Sequence, residues 1–324
     1  MHIFVTGASG FVGGAITAAL SSTHEVHCMS RRKSSDEAIS AIGGKPFRCN
    51  LGSVPREALD NCDVVIHAAA FVGDWGSRDD YWNANVVGTQ QLLEVAQLAG
   101  VKRFIHIGTE AALWHGQDMI DVDETSDYAR DSPYLYSQTK AEAEILVLEA
   151  NSQKRDFTAL ALRPRMIWGP GDQTILPAVK NMVESGKFVW IDHGKAITST
   201  THIQNLVNAV ELSLTRGRGG EAYFITDRES STLKFFLTEL LATAELTPPK
   251  KSLPRTVVYP IAYVLEGLWR LLGSRKAPPL TRHAVGLMAC HCTLRDDKAV
   301  EELGYRPLMS VAQGLRELKQ PTSL

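Results

Sequence analysis

Tyr136 and Lys140 stand four positions apart in the segment Tyr-Ser-Gln-Thr-Lys, so a helix would carry both side chains on one face. An unperturbed tyrosine has a pKa of about 10 and is a poor base at neutral pH. A neighbouring lysine ammonium favours the phenolate and lowers that pKa. Such a tyrosine can protonate a carbonyl oxygen or deprotonate an alcohol, so the pair predicts general acid–base chemistry. Tyr134 has no lysine four positions later and lacks this partner.

Two adjacent polar residues, Thr109 and Glu110, follow a predicted strand over 103–107. Either side chain could reach the reacting oxygen, and one residue of alignment decides between them. We favour Thr109, because a carboxylate would oppose the negative charge that develops on the substrate.

A glycine-rich run, Gly-Ala-Ser-Gly-Phe-Val-Gly, lies between the first predicted strand and the first predicted helix. The chain must turn tightly there and leave room for a pyrophosphate, and a Cβ would block that approach. The following helix offers free N–H groups and the positive end of its dipole to the phosphates. We therefore predict a dinucleotide-binding loop that comprises Gly7, Ser9, Gly10, Phe11, Val12 and Gly13.

The second predicted strand ends at Ser30-Arg31-Arg32, where an NAD-binding site would place an acidic residue on the ribose 2′-hydroxyl. Guanidinium groups suit phosphate oxygens instead. We therefore expect a preference for NADP(H), with NAD(H) as the alternative cofactor. The other interpretation is a set of solvated charges at the start of a loop.

Short apolar runs alternate with helical patterns over the first 165 residues, which predicts an α/β fold with a doubly wound parallel sheet, a Rossmann fold. Such sheets bind ligands beyond the carboxyl ends of their strands. We expect the dinucleotide-binding domain to span 1–168 plus about 198–226. A smaller, mainly helical substrate domain would span about 169–197 plus 227–324.

The composition excludes a disordered, a collagenous and a coiled-coil protein. Among 324 residues, 44% are hydrophobic and 22% are charged, which are ordinary globular values. The net charge of −2 predicts no general attraction to nucleic acid or to an anionic membrane, although a local basic cluster could bind phosphate. Five cysteines without paired-ligand spacing indicate a reducing cytoplasm and no metal site.

The apolar stretch 253–273 is interrupted by Pro260, Glu266 and Arg270, which argues against a transmembrane span. We favour an amphipathic helix against the substrate cavity or the core. Interfacial membrane contact is the less favoured alternative.

Several motifs recur in the order typical of one family: the glycine loop, His67-Ala68-Ala69-Ala70, Asn85-Val-Val-Gly-Thr, the Tyr136/Lys140 pair, Leu162-Arg163-Pro164, Gly169-Pro-Gly-Asp and Leu303-Gly-Tyr-Arg-Pro. The chain resembles the extended short-chain dehydrogenase/reductases, in particular their 3β-hydroxysteroid dehydrogenase/isomerase and dihydroflavonol reductase-like branch. That resemblance implies that Tyr136 is the catalytic acid/base, that Lys140 also holds the nicotinamide ribose, and that Thr109 assists. The resemblance also implies further contacts with the cofactor, at Asn50, Leu51, Ala68, Ala69, Ala70, Asn85, Pro164 and Ile167.

Two positions depart from the family's pattern. Asn50-Leu51 replaces a common Asp-Leu that holds adenine, and Gly108-Thr109 replaces a common Ser-Ser. An amide can hold adenine as the carboxylate does.

We expect an NADP(H)-dependent oxidoreductase that interconverts a secondary alcohol and a ketone on a bulky, largely apolar small-molecule substrate. The alternative is an NAD-dependent nucleotide-sugar epimerase or dehydratase, and a third class is a cofactor-sensing protein without turnover. The resemblance also makes a homodimer the expected form, and the unpaired cysteines make the cytoplasm its expected location.

Overall fold

The computed structural model describes residues 1–73 and 75–319. Its strands are β1 His2–Thr6, β2 Glu25–Ser30, β3 Lys45–Arg48, β4 Val64–His67, β5 Arg103–Ile107, β6 Met119–Val122, β7 Thr158–Pro164, β8 Ile167–Trp168, β9 Trp190–Ile191, β10 Ile197–Ser199, β11 Thr201–His202, β12 Ala222–Ile225, β13 Ser230–Thr232, β14 Ser252–Leu253 and β15 Cys292–Leu294. The main element is a seven-stranded parallel sheet with the strand order β12-β7-β5-β4-β1-β2-β3.

The helices are α1 Phe11–Leu20, α2 Lys33–Ala41, α3 Arg78–Tyr81, α4 Gly88–Ala99, α5 Leu135–Glu149, α6 Ile175–Glu184, α7 Ile203–Ser213, α8 Leu233–Ala242, α9 Arg255–Leu271, α10 Arg282–Ala289 and α11 Val311–Lys319. A π-helical stretch, Trp82–Val87, joins α3 to α4. The predicted strands and helices of the first 165 residues are present, and the prediction of a Rossmann fold is confirmed.

The central strands are continuous apolar runs because both faces of the sheet are covered. Side chains alternate along each strand, so Ile3 and Val5 of β1 join the core cluster that includes α1 and α7. Phe4, between them, joins the opposite cluster with residues of α4 and α5. Helices therefore pack on both faces of the sheet, and this packing fixes the positions of the strand ends.

The sheet order reverses next to β1, which pairs with β2 on one side and with β4 on the other. A crevice opens beyond the carboxyl ends of strands at such a reversal. Thr6, Ser30, His67 and Ile107 end their strands at this same edge. The loops that follow these residues therefore converge on one groove.

The remainder of the chain is more mixed than predicted. A four-stranded sheet, β13-β10-β15-β6, takes its edge strand β6 from residues 119–122, well before the other three. The expectation of a mainly helical segment over about 227–324 overlooked β13, β14 and β15, each only two or three residues long. Such short strands carry too few residues to show a periodic pattern. The proposed division into two domains stays a prediction.

Cys290 and Cys292 are buried free thiols beside and within β15. Among the described residues, no helix combines the length and the apolar character needed to cross a membrane.

Candidate active site

A groove of about 610 Å³ runs along the carboxyl edge of the main sheet. Nine of the predicted cofactor residues line it: Gly7, Ser9, Gly10, Arg31, Asn50, Leu51, Ala68, Ala69 and Ala70. They come from the loops after β1, β2, β3 and β4, so the sheet brings together residues that are as far as 63 positions apart.

Gly7 and Gly13 are the glycines on which the shape of the loop depends. Gly7 has a φ of +77°, and a Cβ there would lie 2.9 Å from the backbone nitrogen of Ala69. A Cβ on Gly13 would lie 2.4 Å from the carbonyl oxygen of Gly7. The loop therefore lies close against both β4 and α1, and the N-terminus of α1 faces the groove without a side-chain cap. This cradle fits a dinucleotide pyrophosphate.

Arg31 and Arg32 lead directly into α2, not into a loop, and both side chains are exposed. The nearby carboxylate, Asp36, accepts hydrogen bonds from Arg48 at 2.6 to 3.0 Å. Arg48, followed by Ser30, holds the pKa of Asp36 below its ordinary value. Arg31 thus lines this end of the groove, Arg32 stands next to it at the N-terminus of α2, and the neighbouring Asp36 is already paired.

Lys140 is buried at the centre of the site, on α5. Its Nζ donates to the carbonyl oxygen of Ile107 at 3.0 Å and to Nε2 of His106 at 3.2 Å. Burial lowers its pKa to about 8, against the opposing charge of Glu144. The side chain is still mainly an ammonium at neutral pH, and two of its three hydrogens are held in place by β5.

Tyr136, one helical turn earlier, is half-buried and its ring meets His283 edge-on, with 6.1 Å between ring centres. Burial and then the Glu110 carboxylate raise its pKa, and hydrogen bonding by Thr109 opposes that rise. The protonated form of Tyr136 is therefore favoured in the protein without a bound cofactor.

Thr109 and Glu110 belong to one buried chain of contacts. Thr109 donates its hydroxyl hydrogen to Oε2 of Glu110 at 2.7 Å. Arg165 pairs with Oε1 of the same carboxylate and also donates to Thr198 at 3.0 Å. A hydroxyl has a single hydrogen, so Thr109 can stabilise a Tyr136 phenolate only by turning away from Glu110.

An aromatic pocket adjoins Tyr136 on the side of the C-terminal helices. It is lined by Gly73, Trp75, Gly76, Tyr81, Pro133, Tyr134, Leu135, Tyr136, Glu266, Arg270 and His283. Glu266 is buried and paired with Arg282 at 2.8 Å, whereas Arg270 is exposed and lies over Trp75. Trp114 is buried and stacks on Tyr134 behind the pocket wall, so it packs against the pocket without lining it.

A model of the 3-beta hydroxysteroid dehydrogenase/isomerase family matches residues 4–255. The chain belongs to this family. It is 36% identical to the 4-hydroxy-2-methyl-3-oxo-4-farnesyl-3,4-dihydroquinoline-1-oxide ketoreductase of Stigmatella aurantiaca, with 99% of this chain and 96% of that protein covered. It is 32% identical to the 2-alkyl-3-oxoalkanoate reductase of Stenotrophomonas maltophilia (strain K279a), with 98% of each covered.

Among solved structures, a UDP-glucuronic acid 4-epimerase from Bacillus cereus in complex with NAD has a TM-score of 0.75. It is 22% identical and covers 99% of both chains, so the likeness shows a shared fold alone. The resemblance to extended short-chain dehydrogenase/reductases is confirmed, and the protein is an oxidoreductase of that type.

Within this family member, some predicted contacts do not line the groove. Asn85 is buried behind it, where its amide oxygen accepts the Phe71 N–H at 2.7 Å and its nitrogen donates to the Phe71 carbonyl and to Thr139. Asn85 therefore fixes the segment after β4 in the protein without a bound cofactor. The other predicted cofactor residues outside the lining are Phe11, Val12, Gly13, Ser30, Arg32, Tyr136, Lys140, Pro164 and Ile167.

Sequence reasoning missed the support beneath the groove. Thr89 donates to the carbonyl oxygen of Asn85 at 2.6 Å, so it accepts the Nε2–H of His67 at 2.9 Å. Nδ1 of His67 then accepts from Thr6, whose oxygen receives the Ala69 N–H. This chain of bonds fixes the backbone that lines the groove. The Thr of the Asn-Val-Val-Gly-Thr motif was the available signal.

Other residues missed are Met29, Phe71, Asp80, Asn83 and Ala84 in the groove and Arg165 beneath the active site. No motif marks them. They reach the site only because the sheet edge and the π-helical stretch bring them there.

Proposed function

We propose that the protein is an NADP(H)-dependent ketoreductase that interconverts a secondary alcohol and a ketone on a bulky, largely apolar substrate. The observation that carries the proposal is the position of Tyr136. It lines the aromatic pocket and stands one turn from the buried Lys140, on the helix α5 whose Thr139 is bonded through Asn85 to Phe71 of the dinucleotide groove. A proton donor between these two cavities would serve a reaction between their occupants.

The cofactor part of the proposal rests on the charges at the end of β2. The cradle around Gly7 would hold the pyrophosphate, and Asn50 and Leu51 would hold the adenine. Arg31 and Arg32 would pair with a 2′-phosphate, and Asp36 is occupied by Arg48 and does not compete. When bound, the nicotinamide supplies or accepts the hydride.

In the reductive direction, Tyr136 gives its phenolic proton to the carbonyl oxygen of the substrate. Lys140, held by β5, stabilises the phenolate that remains. Thr109 orients the carbonyl and, on leaving Glu110, can donate to the phenolate. Glu110 is held in place by its ion pair with Arg165, so we assign the assisting role to Thr109 and a positioning role to Glu110.

The substrate class rests mainly on the relatives. The pocket combines the rings of Trp75, Tyr81 and Tyr134 with the polar side chains of Glu266, Arg270 and His283, so it offers both apolar and polar contacts. Two relatives that align over nearly their full lengths are a ketoreductase and a 2-alkyl-3-oxoalkanoate reductase. We therefore propose substrates that are steroid-like, flavonoid-like or β-keto-acyl-like.

Two measurements test the proposal. Mass spectrometry of the nucleotide released from freshly purified protein should find NADP(H) or an empty site. A ketone of one of these three classes should then increase the rate of NADPH consumption. The KM for NADPH should be lower than the KM for NADH. Stoichiometric, non-exchanging NAD with turnover of a nucleotide sugar would instead establish the epimerase or dehydratase alternative. Nucleotide binding without any turnover would indicate a cofactor sensor.

A further inference from the structure

Helix α9 has an apolar stripe on the face that points away from the protein. Its buried side consists of Val258, Ala262 and Glu266, each four residues apart. The opposite side repeats apolar residues at spacings of four and three, and all of them are exposed: Val257, Ile261, Val264, Leu268 and Leu271. Leu271 is 84% exposed, and Leu272 beside it is 74% exposed. Monomeric soluble proteins rarely leave such a contiguous stripe uncovered.

The charge around this stripe is one-sided. The segment 250–276 contains six basic residues and one acidic residue, in a chain whose net charge is −2. The single acid, Glu266, is buried and paired with Arg282. Lys250 and Lys251 precede the helix, and Arg270, Arg275 and Lys276 stand at its C-terminal end; all five are exposed.

Acids near the helix offset only part of this charge. Asp80 lies near Arg275 and also caps α3 by accepting from the backbone and hydroxyl of Ser77. Asp192 accepts the backbone N–H of Arg255. With Glu266 these are three acids beside six basic residues of the segment, so positive charge remains in excess. A stripe of apolar side chains with cations at both ends is the composition of a helix that lies in the surface of an anionic bilayer.

A second copy of the chain is the less suitable occupant. Antiparallel pairing of two α9 helices would set Lys250 and Lys251 of one copy against Arg275 and Lys276 of the other. Parallel pairing would set identical cations side by side. Both arrangements juxtapose like charges, whereas anionic lipid headgroups would neutralise them.

Helix α9 also borders the aromatic pocket, on the side opposite the stripe. Trp75 lines that pocket, and its Nε1 donates to the carbonyl oxygen of Ser274, just beyond the C-terminus of α9. Glu266 and Arg270 line the pocket from the helix itself. A surface that covered the stripe would therefore lie about 10 Å, one helix diameter, from the pocket that meets Tyr136.

We propose that α9 docks the protein on an anionic lipid surface, with the apolar stripe inserted among the acyl chains and the flanking cations on the headgroups. The overall charge balance argued against such attraction, but the charge of this segment differs from that of the whole chain. If the proposed ketoreductase function holds, this docking would place the pocket near a bilayer in which an apolar ketone dissolves.

Flotation of the full-length protein with lipid vesicles tests the proposal, without nucleotide or ketone present. Wild-type protein should bind phosphatidylcholine vesicles that contain phosphatidylglycerol, bind pure phosphatidylcholine far less, and detach as salt is added. Leu271→Ser should weaken binding about tenfold through lost apolar burial. Arg275→Gln and Lys276→Gln should each weaken it about fivefold.

Matched controls distinguish binding through α9 from nonspecific binding of the protein to vesicles. Leu98→Ser removes an exposed leucine from the end of α4, and Lys102→Gln removes an exposed lysine far along the chain from α9; neither should change vesicle binding. The proposal is overturned if wild-type protein does not bind anionic vesicles, or if the controls weaken binding as much as the α9 variants. It is also overturned if Leu271→Ser instead dissociates a dimer in sedimentation experiments. Because no substrate is present, each of these results leaves the proposed reaction untouched.

Discussion

The carboxyl edge of the main sheet and the outer face of α9 place polar and apolar side chains in opposite ways. At the sheet edge, polar side chains are buried and tied to the backbone: Lys140 to Ile107, Asn85 to Phe71, and His67 to Thr6 and Thr89. On α9, apolar side chains are exposed and touch little. The first arrangement holds atoms rigidly for proton transfer, and the second is available for an apolar partner. From this difference we infer that the chemistry belongs to the sheet edge and that α9 governs which partners approach it.

The sharpest way to test this contrast is to remove the phenolic oxygen from Tyr136. Tyr136→Phe should lower kcat about a thousandfold, because general acid catalysis is lost while the fold and the groove are kept. Tyr134→Phe is the matched control. It loses a 3.2 Å hydrogen bond with Tyr259 in the pocket wall and should change KM more than kcat. Equal losses in both variants would show that proton transfer does not depend on Tyr136.

Glu110→Gln tests the buried support beneath that tyrosine. Arg165 would keep its charge without a carboxylate partner, so the free energy of unfolding should fall by about 3 to 5 kcal/mol. Loss of the Glu110 charge also removes a cause of the raised pKa of Tyr136. The pH profile of alcohol oxidation should therefore move to lower pH.

Glu142→Gln is the control for that variant, since Glu142 pairs with Arg130 near the surface. Its free energy of unfolding should change by less than about 1 kcal/mol. An unshifted pH profile in Glu110→Gln would exclude the positioning role of Glu110.

Arg31→Ala and Arg32→Ala probe the nucleotide end of the same edge. Each should raise the KM for NADPH about tenfold and leave that for NADH nearly unchanged, because only NADPH has a 2′-phosphate. Lys45→Ala removes an exposed cation that pairs with Glu25 and should affect neither cofactor. Parallel changes for both cofactors would remove the basis for the NADP(H) preference.

A smaller effect concerns stability in acid. Burial, and next the Lys140 charge, lower the pKa of His67 to about 3, so below its unfolded pKa only the unfolded chain takes up a proton there. Stability from this group is present above the unfolded pKa and declines as pH falls toward about 3. The loss should be about 1 kcal/mol per pH unit between about pH 6 and pH 4.

Denaturant titrations across that range check the sign. His67→Gln should show a shallower decline, whereas His193→Asn, at an exposed position, should keep the wild-type slope. A wild-type protein whose stability rises on acidification would contradict the buried neutral histidine.

The two regions also differ in how much the sequence could predict. The glycine loop, the strands and the Tyr136/Lys140 spacing are local patterns, and sheet geometry brings them together without further information. Arg165, His283 and the Trp75–Ser274 contact join segments 55 to 199 residues apart, through packing that no local pattern encodes. The apolar character of 253–273 was evident from the sequence. Which face of the helix is buried depends on the packing of Val258 and Ala262 against Ile191 and Val285.

The most direct test of the proposed ketoreductase follows an isotopic label. Protein supplied with NADPH deuterated at the nicotinamide C4 and an apolar β-keto-acyl or steroid ketone should release one NADP⁺ for each alcohol formed. The deuterium should appear on the new carbinol carbon of the released alcohol. Turnover of a nucleotide sugar with the nucleotide still bound, and no net change in its redox state, would contradict the account.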